Sequence, residues 1–232
     1  STVLVPWIAQ LEAVAHTFNR QALPMVWDYV EAHPFTYLSS AIDWILRIIG
    51  HLSQIPQTAI PKGRQASAIQ LPYPDAYFDA VLTDPPYYIN VPYADLSDFF
   101  YVWLKRTIGH LYPDLFATPL SPKALEIGQM AHWDPMRYTE KDEEWFEQKL
   151  TKAFQEIHRV LKPQGLVIIV YAYKTTEGWE AVVNALLDSE LVITGAWPIN
   201  TERQTRMRAQ RSAALASSIY IVARKMARQP TG

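Results

Sequence analysis

An acidic residue followed by two prolines and two tyrosines, at positions 84–88, is the part of the chain whose residue types could do chemistry. The Asp84 carboxylate and the Pro85 carbonyl are neighbouring oxygen acceptors, so together they can hold both hydrogens of an amino group. Such a pair stabilises the positive charge that develops as the amine nitrogen attacks an electrophilic methyl group. Because Pro85 and Pro86 restrict the backbone, both acceptors are held in place before the reaction step.

The tyrosines indicate that the amine belongs to a nucleobase. Tyr87 offers a ring face on which an extruded base can stack, a contact worth about 1–3 kcal/mol per base elsewhere. The base must leave the duplex first, since its target atom is otherwise out of reach. Tyr88 and Tyr93 are further candidates for substrate contact. We therefore expect methylation of an exocyclic base amine, and the competing interpretation is a purely structural proline-rich turn.

A strand is needed to deliver this loop to a ligand. Residues 78–83 are apolar, rich in β-branched and aromatic types, and follow a turn cluster at Pro72, Pro74 and Asp75. Two consecutive prolines cannot continue a strand, so the strand is predicted to end at Asp84. In open α/β sheets, ligands bind at the carboxyl ends of the strands.

The motif and the segment that follows it resemble the amino-group DNA methyltransferases marked by Asp/Asn/Ser-Pro-Pro-Tyr/Phe. More narrowly, the chain is similar to the large adenine-specific DNA methylases of prokaryotes, which carry a long segment after this motif. The resemblance covers roughly residues 20–226 and is carried by residues 83–88, 93–105, 197–202 and 216–219. It implies a Rossmann-like α/β fold, S-adenosylmethionine as cofactor, DNA as partner and transfer to adenine N6.

The resemblance also implies roles for single residues. Asp84, Pro85, Pro86 and Tyr87 would be catalytic, and Asp84 would also contact the cofactor. Ser67 stands where related enzymes place a strand end near the adenine of the cofactor, so it is a second cofactor candidate.

One expected feature is missing from the sequence. The family places a glycine-rich turn, usually Phe-x-Gly-x-Gly, after its first strand and upstream of the catalytic motif, so that the backbone can approach the cofactor. Here the eight glycines are scattered, and the nearest pairs are Gly50 with Gly63 and Gly165 with Gly178. We therefore expect an incomplete methyltransferase fold that lacks its first strands. Either a second chain supplies the cofactor-binding half, or the chain is truncated.

The composition of the chain limits the classes of protein to which it can belong. The chain has 232 residues, an apolar share of 49%, a net charge of −2 and no cysteine. These values predict a globular protein without disulfides or thiolate zinc sites. No apolar run approaches the length of a membrane span and no signal peptide is recognisable, so the expected location is cytoplasmic.

Three parts are predicted: a helical segment at 1–60 that packs on the catalytic unit, a catalytic domain at 61–226 and a tail at 227–232. Residues 4–52 are expected to form three helices separated by Pro24 and Pro34, because apolar residues recur at helical spacing. Those residues are Ile8, Leu11, Val14, Phe18, Ile42, Ile45, Leu46, Ile49 and Leu52.

Helices are further predicted at 94–109, 140–162 and 176–189, and strands at 166–172, 191–198 and 217–224. This alternation predicts a mostly parallel sheet with helices on both faces. Asp95 or Ser97 should lie near the start of the first of these helices. Its apolar residues are expected to face inward: Leu96, Phe99, Phe100, Trp103 and Leu104. The proline-rich stretch between 111 and 138 is predicted to be a lid or recognition loop.

A basic stretch separates the last two predicted strands. Arg203, Arg206 and Arg208 lie in it, and no acidic residue occurs from 203 to 228. A phosphate-binding face is the functional interpretation. A solvated flexible loop is the alternative.

The residues leave two other classes of function open. One is a non-catalytic subunit or remnant that binds DNA or a partner chain without cofactor. The other is an amino-methyltransferase that acts on cytosine N4, on RNA or on protein, because such loops do not separate these acceptors.

Overall fold

The computed structural model describes residues 4–8, 13–14, 29–31, 34–56, 62–86, 92–132, 134–172, 176–199 and 218–226. The chain divides into two compact units, Ser1–Arg64 and Gln65–Gly232. The predicted boundary, after residue 60, lies slightly earlier in the chain.

In its described residues, the first unit has a small antiparallel sheet and one helix. Strands β1 (Leu4–Ile8), β2 (Ala13–Val14) and β3 (Tyr29–Glu31) pair in the order β2-β1-β3. Helix α1 (Pro34–Leu52) follows them. The prediction of three helices is therefore wrong where the chain forms β1, β2 and β3, and it is confirmed for α1.

The local sequence explains this correction. Strand β1 reads Leu-Val-Pro-Trp-Ile, and the proline at its centre would break a helix because it lacks a backbone N–H and clashes with the preceding turn. β-Branched and aromatic neighbours favour an extended backbone. Proline is well suited to the first turn of a helix, and Pro34 opens α1.

The second unit has the predicted α/β fold, built on a four-stranded sheet. Its strands are β4 (Phe78–Thr83), β5 (Leu161–Tyr171), β6 (Leu191–Ile199) and β7 (Ser218–Lys225). Their order in the sheet is β4-β5-β7-β6. β4 pairs parallel with β5, whereas β7 is antiparallel to both of its neighbours. The prediction of a mostly parallel sheet holds for the direction of β4, β5 and β6. It is corrected for the ladders, because β7 enters between β5 and β6 and the β4–β5 ladder is the parallel one among the described strands.

The helices of this unit are α2 (Tyr93–Ile108), α3 (Glu143–Val160) and α4 (Thr176–Leu187). Helices α3 and α4 cover the same sheet face, because both share one core with alternate residues of β5 and β7. Helices on both faces were predicted, and α3 and α4 do not divide between them. The core residues at the centre of this layer are Phe146, Leu150, Phe154, Val167, Ile169, Tyr171, Val182, Leu186 and Ile221.

Helix α3 passes directly into β5 without an intervening loop. The predicted bounds, a helix at 140–162 and a strand at 166–172, are corrected, since the helix ends at Val160 and the strand begins at Leu161. The ladder with β4 shifts register within this stretch. A bulge of this kind tolerates a proline inside a strand.

No helix in the described residues is long and apolar enough to cross a bilayer. Within the same residues, no cluster of histidine and acidic side chains could hold a metal ion.

Candidate active site

The carboxyl ends of three strands meet at one edge of the sheet. β4, β5 and β6 run in the same direction, because β7 is antiparallel to both of its neighbours. Thr83, Tyr171 and Ile199 end these strands. β7 begins at the same edge, where Ser218 is paired with Ile199. Residues that follow β4, β5 and β6 are therefore brought to one side of the sheet, as the sequence predicted for Asp84.

Asp84 follows β4 at this edge, and its side chain is exposed. Pro85 is buried and Pro86 is half-buried, so the backbone beneath the carboxylate is packed while the carboxylate reaches solvent. Partial burial raises the pKa of the Asp84 carboxyl above its ordinary value. Tyr87 and Tyr88, predicted to stack on the base and to contact the substrate, lie outside the described residues.

Tyr93 is the first residue of α2 and lies near Asp84. Its side chain is 54% exposed. Burial of the remainder raises the pKa of the Tyr93 hydroxyl, and the negative charges of Asp84 and Glu126 add to that effect. The predicted substrate residue Tyr93 is thus grouped with the predicted catalytic residue Asp84, and with a third acid that the sequence did not single out.

That third acid, Glu126, caps helix α2 from a distant part of the chain. Glu126 Oε1 accepts a hydrogen bond from the backbone N–H of Ala94 at 3.2 Å. The helix receives no cap from its own N-cap residue, Pro92, which offers no side-chain acceptor. Burial raises the pKa of the Glu126 carboxyl, although backbone hydrogen bonds from Ala94 and Tyr93 and the charge of Lys141 act in the opposite direction.

Lys141 holds Glu126 in place through the backbone. Its side chain is buried, and Nζ donates to the carbonyl oxygens of Lys123 and Glu126, both at 2.6 Å. The ammonium also lies over the ring of Trp145, 5.0 Å from its centroid. Burial lowers the pKa of Lys141. A charged side chain in this position replaces water for two carbonyls that the fold encloses.

Two further contacts fasten the proline-rich stretch to α2. Asp98 of the helix accepts hydrogen bonds from Ser121 and forms an ion pair with Lys123. Asp95 accepts from the Tyr138 hydroxyl at 2.8 Å. Partial burial and this bond raise the pKa of the Tyr138 hydroxyl to about 12. The stretch predicted as a lid or recognition loop is thus tied along the first two turns of α2.

Several apolar side chains of α2 do not face inward as predicted. Phe100, Trp103 and Leu104 are exposed, and the helix has no buried residue. The acidic and hydroxyl residues near its start also have other partners than a helix cap: Asp95 bonds Tyr138, and the Ser97 hydroxyl donates to the Ala94 carbonyl.

Ahead of the amino end of β4, side chains of α3 hold the segment that leads into the strand. We call this set of contacts the clamp. Arg159 donates to the carbonyl oxygens of Leu71 and Tyr73 and to Asp75 and Glu156. Glu156 Oε1 in turn accepts from the backbone N–H of Leu71 at 2.7 Å. The hydrogen bonds from Arg159 are the main cause that lowers the pKa of Glu156.

Ser67, the predicted cofactor residue, lies in a tight turn ahead of this clamp. It is exposed, and its carbonyl accepts a hydrogen bond from Gln70 N at 3.1 Å. Ser67 therefore has an identified role as a turn residue, and its contact with a cofactor stays a prediction.

The predicted DNA-binding residues Arg203, Arg206 and Arg208 lie outside the described residues. The points at which their segment joins the sheet are described, however. Ile199 ends β6 and Ser218 begins β7, and the two are paired at the edge that carries Asp84. The basic segment leaves and re-enters the fold at the side of the candidate site.

The described glycines do not form the glycine-rich turn that an S-adenosylmethionine site uses. Such a site needs small residues at a strand end, so that the backbone can approach the ligand. Among the described glycines of this unit, Gly165 and Gly195 lie within strands and Gly109 follows α2. Gly128 lies in the proline-rich stretch, and Gly178 lies in the first turn of α4, where its carbonyl oxygen accepts from the Tyr171 hydroxyl. None of the described glycines has a positive φ. The incomplete cofactor site stays a prediction.

A separate surface groove lies between α3 and α4. It has a volume of about 470 Å³ and does not include Asp84 or any other predicted site residue. Eight of the ten residues that line it are polar, and four of these are charged: Glu144, Glu147, Lys152 and Asp188.

Glu126 and Lys141 were missed by the sequence analysis. Lys141 stands in the run Glu140-Lys141-Asp142-Glu143-Glu144, which has the composition of a solvated helix start. The structure confirms that role for Asp142, whose side chain accepts from Trp145 N and caps α3. Nothing in the local pattern marks Lys141 as buried, because its partners lie far from it in the sequence.

No protein-family profile matches the chain, and no curated protein matches it in sequence. Among solved structures, a candidate DNA modification methylase from Thermus thermophilus, in complex with S-adenosyl-L-methionine, is similar at 16% identity and a TM-score of 0.36. That match covers 71% of this chain and 56% of the other. A SAM-dependent methyltransferase from Methanosarcina mazei is 13% identical at a TM-score of 0.35, and covers 78% of this chain and 77% of the other.

The chain spans about half the length of the Thermus protein, between 50% and 56% in its three structures. The [4+2]-cyclase SpnF is similar to the same degree, with 15% identity and a TM-score of 0.34 over 70% of this chain and 55% of the other. Because identities and TM-scores are this low, the likenesses assign no activity to the chain.

Proposed function

We propose that this chain is the catalytic part of an S-adenosylmethionine-dependent methyltransferase that modifies adenine N6 in DNA. The observation that carries the proposal is the position of Asp84. Its carboxylate stands exposed at the carboxyl edge of the sheet on two packed prolines, with Tyr93 beside it. This position supports contact between the carboxylate and an exocyclic amine.

The residues of this chain act on the amino group. The Asp84 carboxylate and the Pro85 carbonyl accept its two hydrogens, which orients the nitrogen lone pair and offsets the positive charge that develops during attack. Partial burial, which raises the pKa of Asp84, strengthens this interaction because less water competes for the carboxylate. The rigidity of Pro85 and Pro86 limits the ordering that is left for the reaction. In this proposal Tyr87 stacks on the base.

DNA as the substrate is supported by the placement of the basic segment. Its two ends, at Ile199 and Ser218, lie at the edge that carries Asp84. In the sequence, Arg203, Arg206 and Arg208 fall between these two ends. Arginine side chains there would neutralise backbone phosphates, while the base enters the site.

We further propose that a second chain completes the cofactor site next to β4. In the described part of the chain, β4 pairs with β5 alone and is therefore an edge strand of the sheet. Leu82 of β4 is 73% exposed, although it is in register with Ile168 and through it with Val222. Parallel strands are ordinarily covered on both faces. A parallel strand added beside β4 would bring the turn at its own carboxyl end to the edge that carries Asp84.

The first experiment tests the enzyme directly. The chain is combined with the product of the adjoining gene, labelled S-adenosylmethionine and duplex oligonucleotides, and label in DNA is measured. Label is expected with adenine-containing duplexes, and the Asp84→Ala variant should incorporate roughly 10²-fold less or below. Equal label with Asp84→Ala would refute the catalytic assignment. Label that follows cytosine content would move the acceptor to cytosine N4.

Calorimetric titration with S-adenosylmethionine addresses the alternative of a non-catalytic subunit. The chain alone is expected to give no binding heat, because it lacks the glycine-rich turn, whereas the combined chains should bind the cofactor. Absence of binding by the combined chains as well would favour the non-catalytic subunit.

A further inference from the structure

We propose that Glu126 is a positioning residue of the candidate active site, which caps the amino end of α2 and thereby holds Tyr93 next to Asp84. This inference rests on the proposed function, because it gives Glu126 a part in the same amino-group chemistry. It concerns a residue 42 positions downstream of Asp84 in the sequence.

The first turn of α2 depends on Glu126. The initial N–H groups of a helix have no partner inside the helix and are ordinarily satisfied by the N-cap side chain. The N-cap here is Pro92, which makes no side-chain cap bond. Glu126 Oε1 accepts from Ala94 N at 3.2 Å instead. A carboxylate at this place also matches the positive end of the helix dipole.

The position of Glu126 is itself fixed. The buried Lys141 Nζ donates to the carbonyl oxygen of Glu126 and to that of Lys123, so the backbone that carries the carboxylate is bonded from below. Asp98 holds Ser121 and Lys123 of the same stretch against α2. The Glu126 carboxylate therefore reaches the amino end of α2 from a segment whose backbone is held by hydrogen bonds.

The consequence falls on Tyr93. Burial raises the pKa of the Tyr93 hydroxyl, and the negative charges of Asp84 and Glu126 add to that effect. The charged groups that act on Glu126 are Lys141 and Asp95. With burial and both acids acting in the same direction on the pKa of Tyr93, the phenol stays protonated and can donate a hydrogen bond. A protonated Tyr93 beside Asp84 can donate to the carboxylate or to a ring nitrogen of the base.

The test uses the full chain without cofactor or DNA. Tyrosines are labelled with ¹³C at Cζ, the Tyr93 resonance is assigned with Tyr93→Phe, and its titration is followed by NMR together with hydrogen exchange of the Ala94 amide. Glu126→Ala should shift the Tyr93 titration to lower pH and accelerate Ala94 exchange. Glu126→Gln keeps an oxygen acceptor, so it should retain slow Ala94 exchange and still shift Tyr93.

Glu143→Gln, at an exposed acid in the first turn of α3, is the matched control and should change neither signal. An unchanged Tyr93 titration in both Glu126 variants would overturn the inference. If Glu126→Ala does not fold, Glu126→Gln decides the matter through Tyr93.

Activity provides the second readout. In the combined enzyme Glu126→Ala should lose up to about 10²-fold in kcat, as expected when a reacting group is displaced by about an ångström, with little change in KM for DNA. Unchanged kcat in an enzyme that depends on Asp84 would also overturn the inference. If Tyr93 responds to Glu126 but no methyl transfer occurs, the proposed function fails and the structural role of Glu126 stands.

Discussion

Glu156 accepts a hydrogen bond from the backbone N–H of Leu71 at 2.7 Å, although the two residues are 85 positions apart. Arg159 donates to the carbonyl oxygen of the same leucine at 3.1 Å. Helix α3 therefore holds both the backbone N–H and the backbone carbonyl of Leu71, which precedes β4 in the chain. Because Asp84 directly follows β4, these hydrogen bonds help to fix the position of the strand that leads to the candidate site.

Removal of Arg159 should loosen the approach to β4. Arg159→Gln leaves two backbone carbonyls and two carboxylates without their guanidinium donor. We expect several-fold faster hydrogen exchange at the Leu71 amide and a lower thermal midpoint. Arg106→Gln, at an exposed position of α2, is the control. Unchanged Leu71 exchange would show that the clamp does not restrain this segment.

The pH dependence of stability should carry the signature of Glu156. Hydrogen bonds from Arg159 lower the pKa of Glu156 below its ordinary 4.5. A carboxyl with a lowered folded pKa stabilises the protein above its unfolded pKa, and this contribution is lost as the pH falls through the folded pKa. The difference in unfolding free energy between wild type and Glu156→Gln, measured by denaturant titration, should be constant at neutral pH and shrink below about 4.5. A difference that grows on acidification would contradict the assignment.

Lys141 should be a strong contributor to stability. Lys141→Met keeps an unbranched side chain but removes the Nζ donor from the carbonyl oxygens of Glu126 and Lys123, and the Lys123 oxygen then keeps the 3.3 Å bond from Glu126 N. Each such loss costs about 1–3 kcal/mol, partly offset because no charge remains to be buried. We expect a net loss of about 2 kcal/mol, or roughly 4–8 °C in the thermal midpoint. Lys152→Met on the exposed face of α3 should change the midpoint by about 1 °C or less.

The pH profile of the combined enzyme should report Asp84. Because burial raises the pKa of this carboxyl above 3.8, kcat/KM is expected to fall on acidification at a pH above that value, as the acceptor becomes protonated. Glu126 also has a raised pKa, so Glu126→Gln is needed to separate the two acids. A limb that persists unchanged in Glu126→Gln is assigned to Asp84. Loss of the limb in that variant would assign it to Glu126 instead.

The central fold was predictable because its signals are local. The strand at 78–83 and the bounds of β6 and β7 follow from short apolar runs, and α3 from a regular apolar spacing with acids at its start. The beginning of the chain was not predictable in this way. Ile8 and Val14 fit a helical period, yet both lie in strands, because sparse apolar residues can match that period by chance.

The site was predictable only where one segment carries it. Asp84 stands out because the prolines that fix it are its neighbours in the sequence. The residues that support it come from other elements: Glu126 and Lys141 from the proline-rich stretch and the turn that follows it, and Glu156 and Arg159 from α3. Their roles depend on tertiary proximity, and a sequence pattern records spacing along the chain alone.

The pairing of Ile199 with Ser218 has a consequence for how such a protein can diversify. A connection whose two ends are hydrogen-bonded neighbours in the sheet can be lengthened, shortened or exchanged while the strand register stays the same. Grafting a foreign sequence between these two residues should leave the scaffold intact. Evolution can then change which target sequence is recognised without changing the catalytic site.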